Sequence, residues 1–297
     1  MKPSWGALWI LLAAFLWGTT GTAQTFAPET AHPIAIGAAR LAVGGISLLL
    51  IVLLFGKWNM KNWPIKETLV ASISMAIFQP LFFSAVTITG VAIGTVITIG
   101  SAPILSGILE WLFLKKSPSK IWRYSTGLSI IGCLLLSLNK GSVHVDPYGI
   151  LMALGAGLAF AFYALVSRKL IENHSSLSVV AVVFTLSAIC LSPFLFIYDM
   201  SWMMEFSGVV VTLHLGIVTT GIAYLLFAKG LATVPSSTAV TLSLGEPLTA
   251  AIFGVFILKE KLDFTSWIGI SLLMLGIALL IGFPRKKEPL GHTIGSK

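Results

Sequence analysis

The chain has 297 residues, of which 56% are hydrophobic and 10% charged, with a net charge of +8 and a mean hydropathy of +0.95. Soluble domains carry roughly 25% charged residues, so this composition excludes an ordinary water-soluble fold and asks for a bilayer as solvent. The basic balance does not point to nucleic acid, and no nucleic-acid partner is expected. Lys115, Lys116, Lys120 and Arg123 sit in a short gap between apolar runs rather than along one helix face.

A helix crosses the hydrocarbon core with about 20 apolar residues. Such runs occur at 5–24, 34–54, 69–88, 92–114, 120–138, 147–167, 178–198, 209–229, 235–257 and 265–283. They predict an all-α integral membrane fold of about ten transmembrane helices. The first run begins like a signal peptide after Lys2, but it continues beyond Trp17 with no clear cleavage site, and it reads as a retained helix. Polar or proline-bearing gaps separate the runs, among them Pro28 to Pro33, Gly56 to Pro64 and Asn139 to Pro147. The segment 285–297 reads as a polar tail. Cys133 and Cys190 lie inside apolar runs and read as small buried hydrophobes; no disulfide, metal or cofactor is expected.

Lys and Arg concentrate on the cytoplasmic side of a membrane protein. With the N-terminus inside, fifteen of the nineteen fall on that side, from Lys2 to Lys297. Only Lys140, Lys259 and Lys261 fall outside, and Arg40 lies within the second span. Both termini are therefore expected in the cytoplasm, with the chain in the cell (plasma or inner) membrane.

The chain also repeats itself. Thr95-Val96-Ile97-Thr98-Ile99-Gly100-Ser101-Ala102-Pro103 is similar to Ala239-Val240-Thr241-Leu242-Ser243-Leu244-Gly245-Glu246-Pro247. The two prolines lie 144 residues apart, and the same offset pairs Leu114 with Leu258, Lys115 with Lys259 and Gly132 with Gly276. Two units result, 1–142 and 143–284. Each holds about five helices, and an odd number forces the second copy to insert upside down, as in alternating-access transporters.

Several residues stand out against this apolar background. Glu246 sits mid-span beside Pro247 and Gly245, where a carboxylate costs about 2.5–3.5 kcal/mol on insertion scales. It reads either as a proton-coupling or substrate-contacting group, or as a structural cap. Its repeat mate is Ala102. Arg40 can receive an anionic substrate group, or it can pair with a helix C-terminus or snorkel to the surface; the structural role is the simpler reading. Gly100 to Pro103 and Gly245 to Pro247 predict helix breaks at matched places in the two halves. Trp17, Gln79, Tyr163, Tyr224, Thr241 and Ser243 are candidate cavity residues alongside Pro103 and Pro247. Glu110 reads as an interfacial ion pair with Lys115, and His214 as a packing residue. Ser125 and Gly132 align with Gly269 and Gly276, a spacing that lets the fifth and tenth helices pack closely. Ser117 to Lys120 fits S-x-x-K only in a loop, and no catalytic motif is supported. The sequon at Asn173 falls on the cytoplasmic side and reads as silent.

In order, Trp17-Gly18-Thr19, Arg40 in its Ala-Ala-Arg-Leu context, Ser101-Ala102-Pro103, Glu246-Pro247, Leu258-Lys259-Glu260, Trp267-Ile268-Gly269 and Leu275-Gly276-Ile277 resemble the EamA-type ten-helix members of the drug/metabolite transporter superfamily. The resemblance spans about residues 5 to 283. One departure is Lys115-Lys116 where the second half has Lys259-Glu260. The resemblance implies a central cavity lined by helices 1, 3, 4, 6, 8 and 9, with helices 5 and 10 peripheral. It also implies secondary transport, chiefly export of amino acids or related small metabolites, among membrane lipid, with protons as the candidate coupling ion through Glu246 or Arg40. The alternatives are a drug or quaternary-ammonium exporter and, from another class, a membrane-embedded enzyme or scaffold. Monomer and homodimer both stay open.

Overall fold

The computed structural model describes residues 5–55, 63–137, 146–257, 259 and 262–283. The unit boundary at 142, the tail at 285–297 and the Leu258 and Glu260 pattern lie outside them. The helices are α1 Trp5–Gln24, α2 Pro33–Leu54, α3 Ile65–Thr89, α4 Val91–Leu114, α5 Lys120–Ser137, α6 Pro147–Ile171, α7 Ser176–Leu191 and the short α8 Phe194–Ile197. A 3₁₀ turn follows at Ser201–Met204. Next come α9 Phe206–Leu213, a π-helical stretch His214–Ile222, and α10 Ala223–Leu231, which together make one span. Then follow α11 Ser236–Leu242, α12 Gly245–Phe256 and α13 Phe264–Gly282. Among the described residues nine stretches are long and apolar enough to cross a membrane. The tenth expected span is α5, whose 18 residues include Lys120 and Arg123 and so fall short of that hydropathy. The exterior is apolar, with Leu12, Leu50, Ile73, Leu134, Leu151 and Leu275 all exposed, as lipid contact requires.

The two repeats interlock. α1 packs on α10 and α12 of the second half, while α6 packs on α3 and α4 of the first; α2 pairs with α7 and α5 with α13. The first helix of each repeat thus docks on the third and fourth spans of the other. Lys115 and Lys259, which the repeat offset pairs, both adopt the left-handed conformation, with φ 53° and 58°. Non-glycine residues rarely do so, and here it caps α4.

Two local expectations need correction. α4 runs unbroken through Pro103, so the helix breaks are not matched. Only the second half breaks, at Ser243–Leu244 between α11 and α12. Pro247 has no N–H to give the Ser243 carbonyl four residues back, and the Glu246 N–H takes its place at 2.9 Å. Cys133 is buried, but Cys190 faces outward on α7. The small residues behave as anticipated. A Cβ at Gly132 would lie 2.6 Å from the Gly269 carbonyl, and one at Gly269 would lie 2.6 Å from that of Gly132, so α5 and α13 touch backbone to backbone.

α6 starts on Asp146, whose carboxylate accepts from Tyr148 N at 2.8 Å and Gly149 N at 3.2 Å, with Pro147 at the first helical position. Asp146→Ala is expected to cost about 1 kcal/mol, read as a lowered melting temperature in detergent; an unchanged value would show that the cap is idle.

Candidate functional site: charged groups above an aromatic floor

The two ends of the bundle differ. At one end lie Lys66, Lys115, Lys120, Arg168 and Lys169, tied together by contacts such as Lys169 Nζ to Glu67 Oε1 at 2.6 Å and Trp63 on His174 at 4.3 Å. This is the basic end. Here α4 packs on α11 and α6 packs on both α10 and α11. These contacts join the two halves at the basic end, where a cavity of about 310 Å³ is lined by Trp5, Trp122, Val234, Ser237 and Leu280 among others.

Trp17 of α1 centres an aromatic floor. Trp17 lies 4.8 Å from Tyr224, 5.3 Å from Phe227 and 6.0 Å from Phe160, ring centre to ring centre. Tyr163 stands edge-on to Phe184 at 5.9 Å and to Tyr224 at 5.7 Å. The Trp17 indole N–H donates to the Thr219 carbonyl at 2.9 Å, which fixes the ring's tilt. All these rings are buried.

Above the floor the span α9–α10 widens into its π-helical stretch, a feature that often marks functional sites. It presents two adjacent hydroxyls. Arg40 Nε donates to Thr220 Oγ1 and Nη2 to Thr219 Oγ1, both at 3.1 Å. Arg40 is therefore neither on a helix C-terminus nor snorkelled to the surface; it is 8% exposed. A guanidinium has five N–H donors. Nη1 and one Nη2 proton find no acceptor among the described residues. Thr19 Oγ1 and His214 Nε2 lie 2.8 Å apart, so the histidine, expected only to pack, has a polar partner. Glu246 opens α12 beside α1, its carbonyl 2.8 Å from where a Gly18 Cβ would sit. The side chain is half-buried, and no hydrogen bond or ion pair reaches its carboxylate among the described residues. Trp17 bonds the Thr219 carbonyl and its neighbour Gly18 packs on the Glu246 carbonyl, so Arg40 and Glu246 flank the same turn of α1 without pairing.

The remaining candidates lie elsewhere. Thr241 is fully buried on the α5–α11 seam, 3.0 Å from the Thr126 hydroxyl. Ser243 turns back to the Val240 carbonyl at the helix break. Gln79 faces Gly37 of α2 with its Oε1 unpartnered. Pro103 is buried within α4 and Pro247 half-buried beside Glu246. Sequence reasoning did not find Thr219, Thr220, Phe160, Phe184 or Phe227. The Thr219-Thr220 pair in an apolar span was the one visible signal.

A family model described as the EamA-like transporter family matches residues 4–138 and again 147–282. The chain belongs to the EamA-like transporter family. It is 49% identical over 288 residues to the uncharacterized transporter YwfM of Bacillus subtilis, with 97% of each chain covered. It is 28% identical over 272 residues to the threonine/homoserine exporter RhtA of Escherichia coli K12, covering 88% of this chain and 86% of that one. A protein crystal structure of 17% identity superposes with a TM-score of 0.82 over 94% of this chain and 96% of that one, a likeness of fold. These EamA relatives are transporters, and the chain's helices suit a membrane.

Proposed function

We propose that this EamA-like transporter exports amino acids or closely related small metabolites across the cell membrane by alternating access, with both termini in the cytoplasm. One observation carries the reading: Arg40, held by Thr219 and Thr220 with donors to spare, and Glu246, with no bonded partner among the described residues, flank the Trp17–Gly18 segment of α1. A zwitterionic amino acid carries the complementary pair, a carboxylate for the free Arg40 donors and an ammonium for Glu246. A mostly apolar wall with a few placed polar groups suits such a solute. The similarity to a threonine/homoserine exporter supports the substrate class. The excess of Lys and Arg at the basic end supports its cytoplasmic placement.

A lipophilic cation would find the aromatic rings and Glu246, but it would also have to sit in the field of Arg40. That repulsion favours the zwitterion. Glu246 is the proposed coupling group, exchanging a proton for the substrate ammonium. Cells overproducing the chain are expected to resist toxic analogues of threonine and homoserine and to enrich amino acids in the medium. Resistance to lipophilic cations with no amino-acid enrichment would overturn the reading.

A further inference from the structure

Glu110 stands apart from Arg40 and Glu246, and it is the most heavily bonded carboxylate in the described chain. It lies near the basic end of α4, is 2% exposed, and was expected to pair with Lys115 at the interface. Instead, one oxygen accepts the Ser236 N–H at 2.9 Å and the Ser236 hydroxyl at 3.0 Å. Arg168 Nη1 of α6 reaches the same oxygen at 3.5 Å. The other oxygen accepts the Ser237 hydroxyl. Four donors on two oxygens suit the ionised carboxylate, which offers about four lone-pair sites.

These bonds cross between the repeats at the place where α4 meets α11. The repeat offset puts Gly254 of α12 opposite Glu110, so the repeat mate of this carboxylate is a glycine and the bonding is one-sided.

We propose that Glu110 is the latch of the inner gate: its bonds to Ser236, Ser237 and Arg168 hold α4 of the first repeat against α11 and α6 of the second at the basic end, and they break when α4 and α11 separate to admit substrate from inside. This is a positioning role in transport and rests on the alternating-access reading.

The test uses two single-cysteine proteins, each with Cys133 and Cys190 replaced by alanine. Ser106, fully buried four residues before Glu110 on the same face of α4, becomes Ser106→Cys. Ala250, half-buried four residues after Glu246 on α12, becomes Ala250→Cys. A membrane-impermeant maleimide is applied to inside-out vesicles for Cys at 106 and to intact cells for Cys at 250. Glu110→Gln keeps one acceptor but loses the charge for Arg168 and turns an amide N–H₂ towards a serine. It is expected to speed labelling at 106 by about tenfold or more, the loss of one charge-assisted hydrogen bond, and to slow labelling at 250. Ser237→Ala, a milder change that leaves the carboxylate in place, is expected to move both rates the same way by less. Unchanged labelling at 106 in both variants would overturn the latch, and so would faster labelling at both positions, which marks general loosening. Labelling requires no substrate. A shift of the expected kind without amino-acid export would overturn the proposed substrate and leave the latch standing.

Discussion

Arg40→Ala will raise the KM for a transported amino acid on the order of 100-fold, the scale on which truncating one partner of a buried charged hydrogen-bonded pair acts. The guanidinium is held by Thr219 and Thr220 with three N–H donors left over, and a substrate carboxylate is the group that fits them. Removing it leaves Glu246 as the remaining charge, so transport of amines lacking a carboxylate is expected to suffer far less than that of the amino acid. Arg40→Lys keeps the charge but cannot grip both threonines and present a planar fork, and should fall between. Arg40 also braces the π-helical stretch, so each variant is compared at equal melting temperature. Equal losses for amino acid and amine, or no loss for either, would confine Arg40 to bracing.

The second large effect is on stability. Gly132→Val is expected to destabilise the protein by about 1–3 kcal/mol, as overpacking does, because any Cβ there would meet the Gly269 carbonyl at 2.6 Å and the Leu273 nitrogen at 2.7 Å. Gly269→Val should act alike, its Cβ pressing on the Gly132 carbonyl and, at 2.8 Å, on the Leu136 nitrogen. The double variant should cost less than the two singles added, since one separation of α5 from α13 relieves both clashes. Melting curves in detergent test this. Changed oligomer size with unchanged melting would show instead that these glycines face another copy of the chain.

Much of this architecture was legible in the sequence because the bilayer simplifies the reading. Ten apolar runs and the repeat around Pro103 and Pro247 suffice for ten helices in two inverted units. α5 was visible despite Lys120 and Arg123 because the apolar run continues past them to residue 138. What the local sequence could not carry is how distant groups pair. Proline at 103 and at 247 looks alike on paper, yet α4 absorbs the first while the second parts α11 from α12. Glu110 looked interfacial because its partners Ser236 and Arg168 are 126 and 58 residues away, and no periodicity links them. Arg40 and Glu246 were conspicuous as charges at depth. The π-helical stretch that turns two threonines towards Arg40 has no comparable signature.

The central claim is that one central site, alternately exposed to each side, carries a zwitterion between Arg40 and Glu246. Counterflow in proteoliposomes tests it most directly: vesicles loaded with unlabelled threonine or homoserine, diluted into a trace of the labelled amino acid. The account predicts transient accumulation of label in wild type, inhibited by other zwitterionic amino acids but not by their decarboxylated amines, and absent in Arg40→Ala. No accumulation from any amino-acid load, in protein that remains folded and reconstituted, would contradict it.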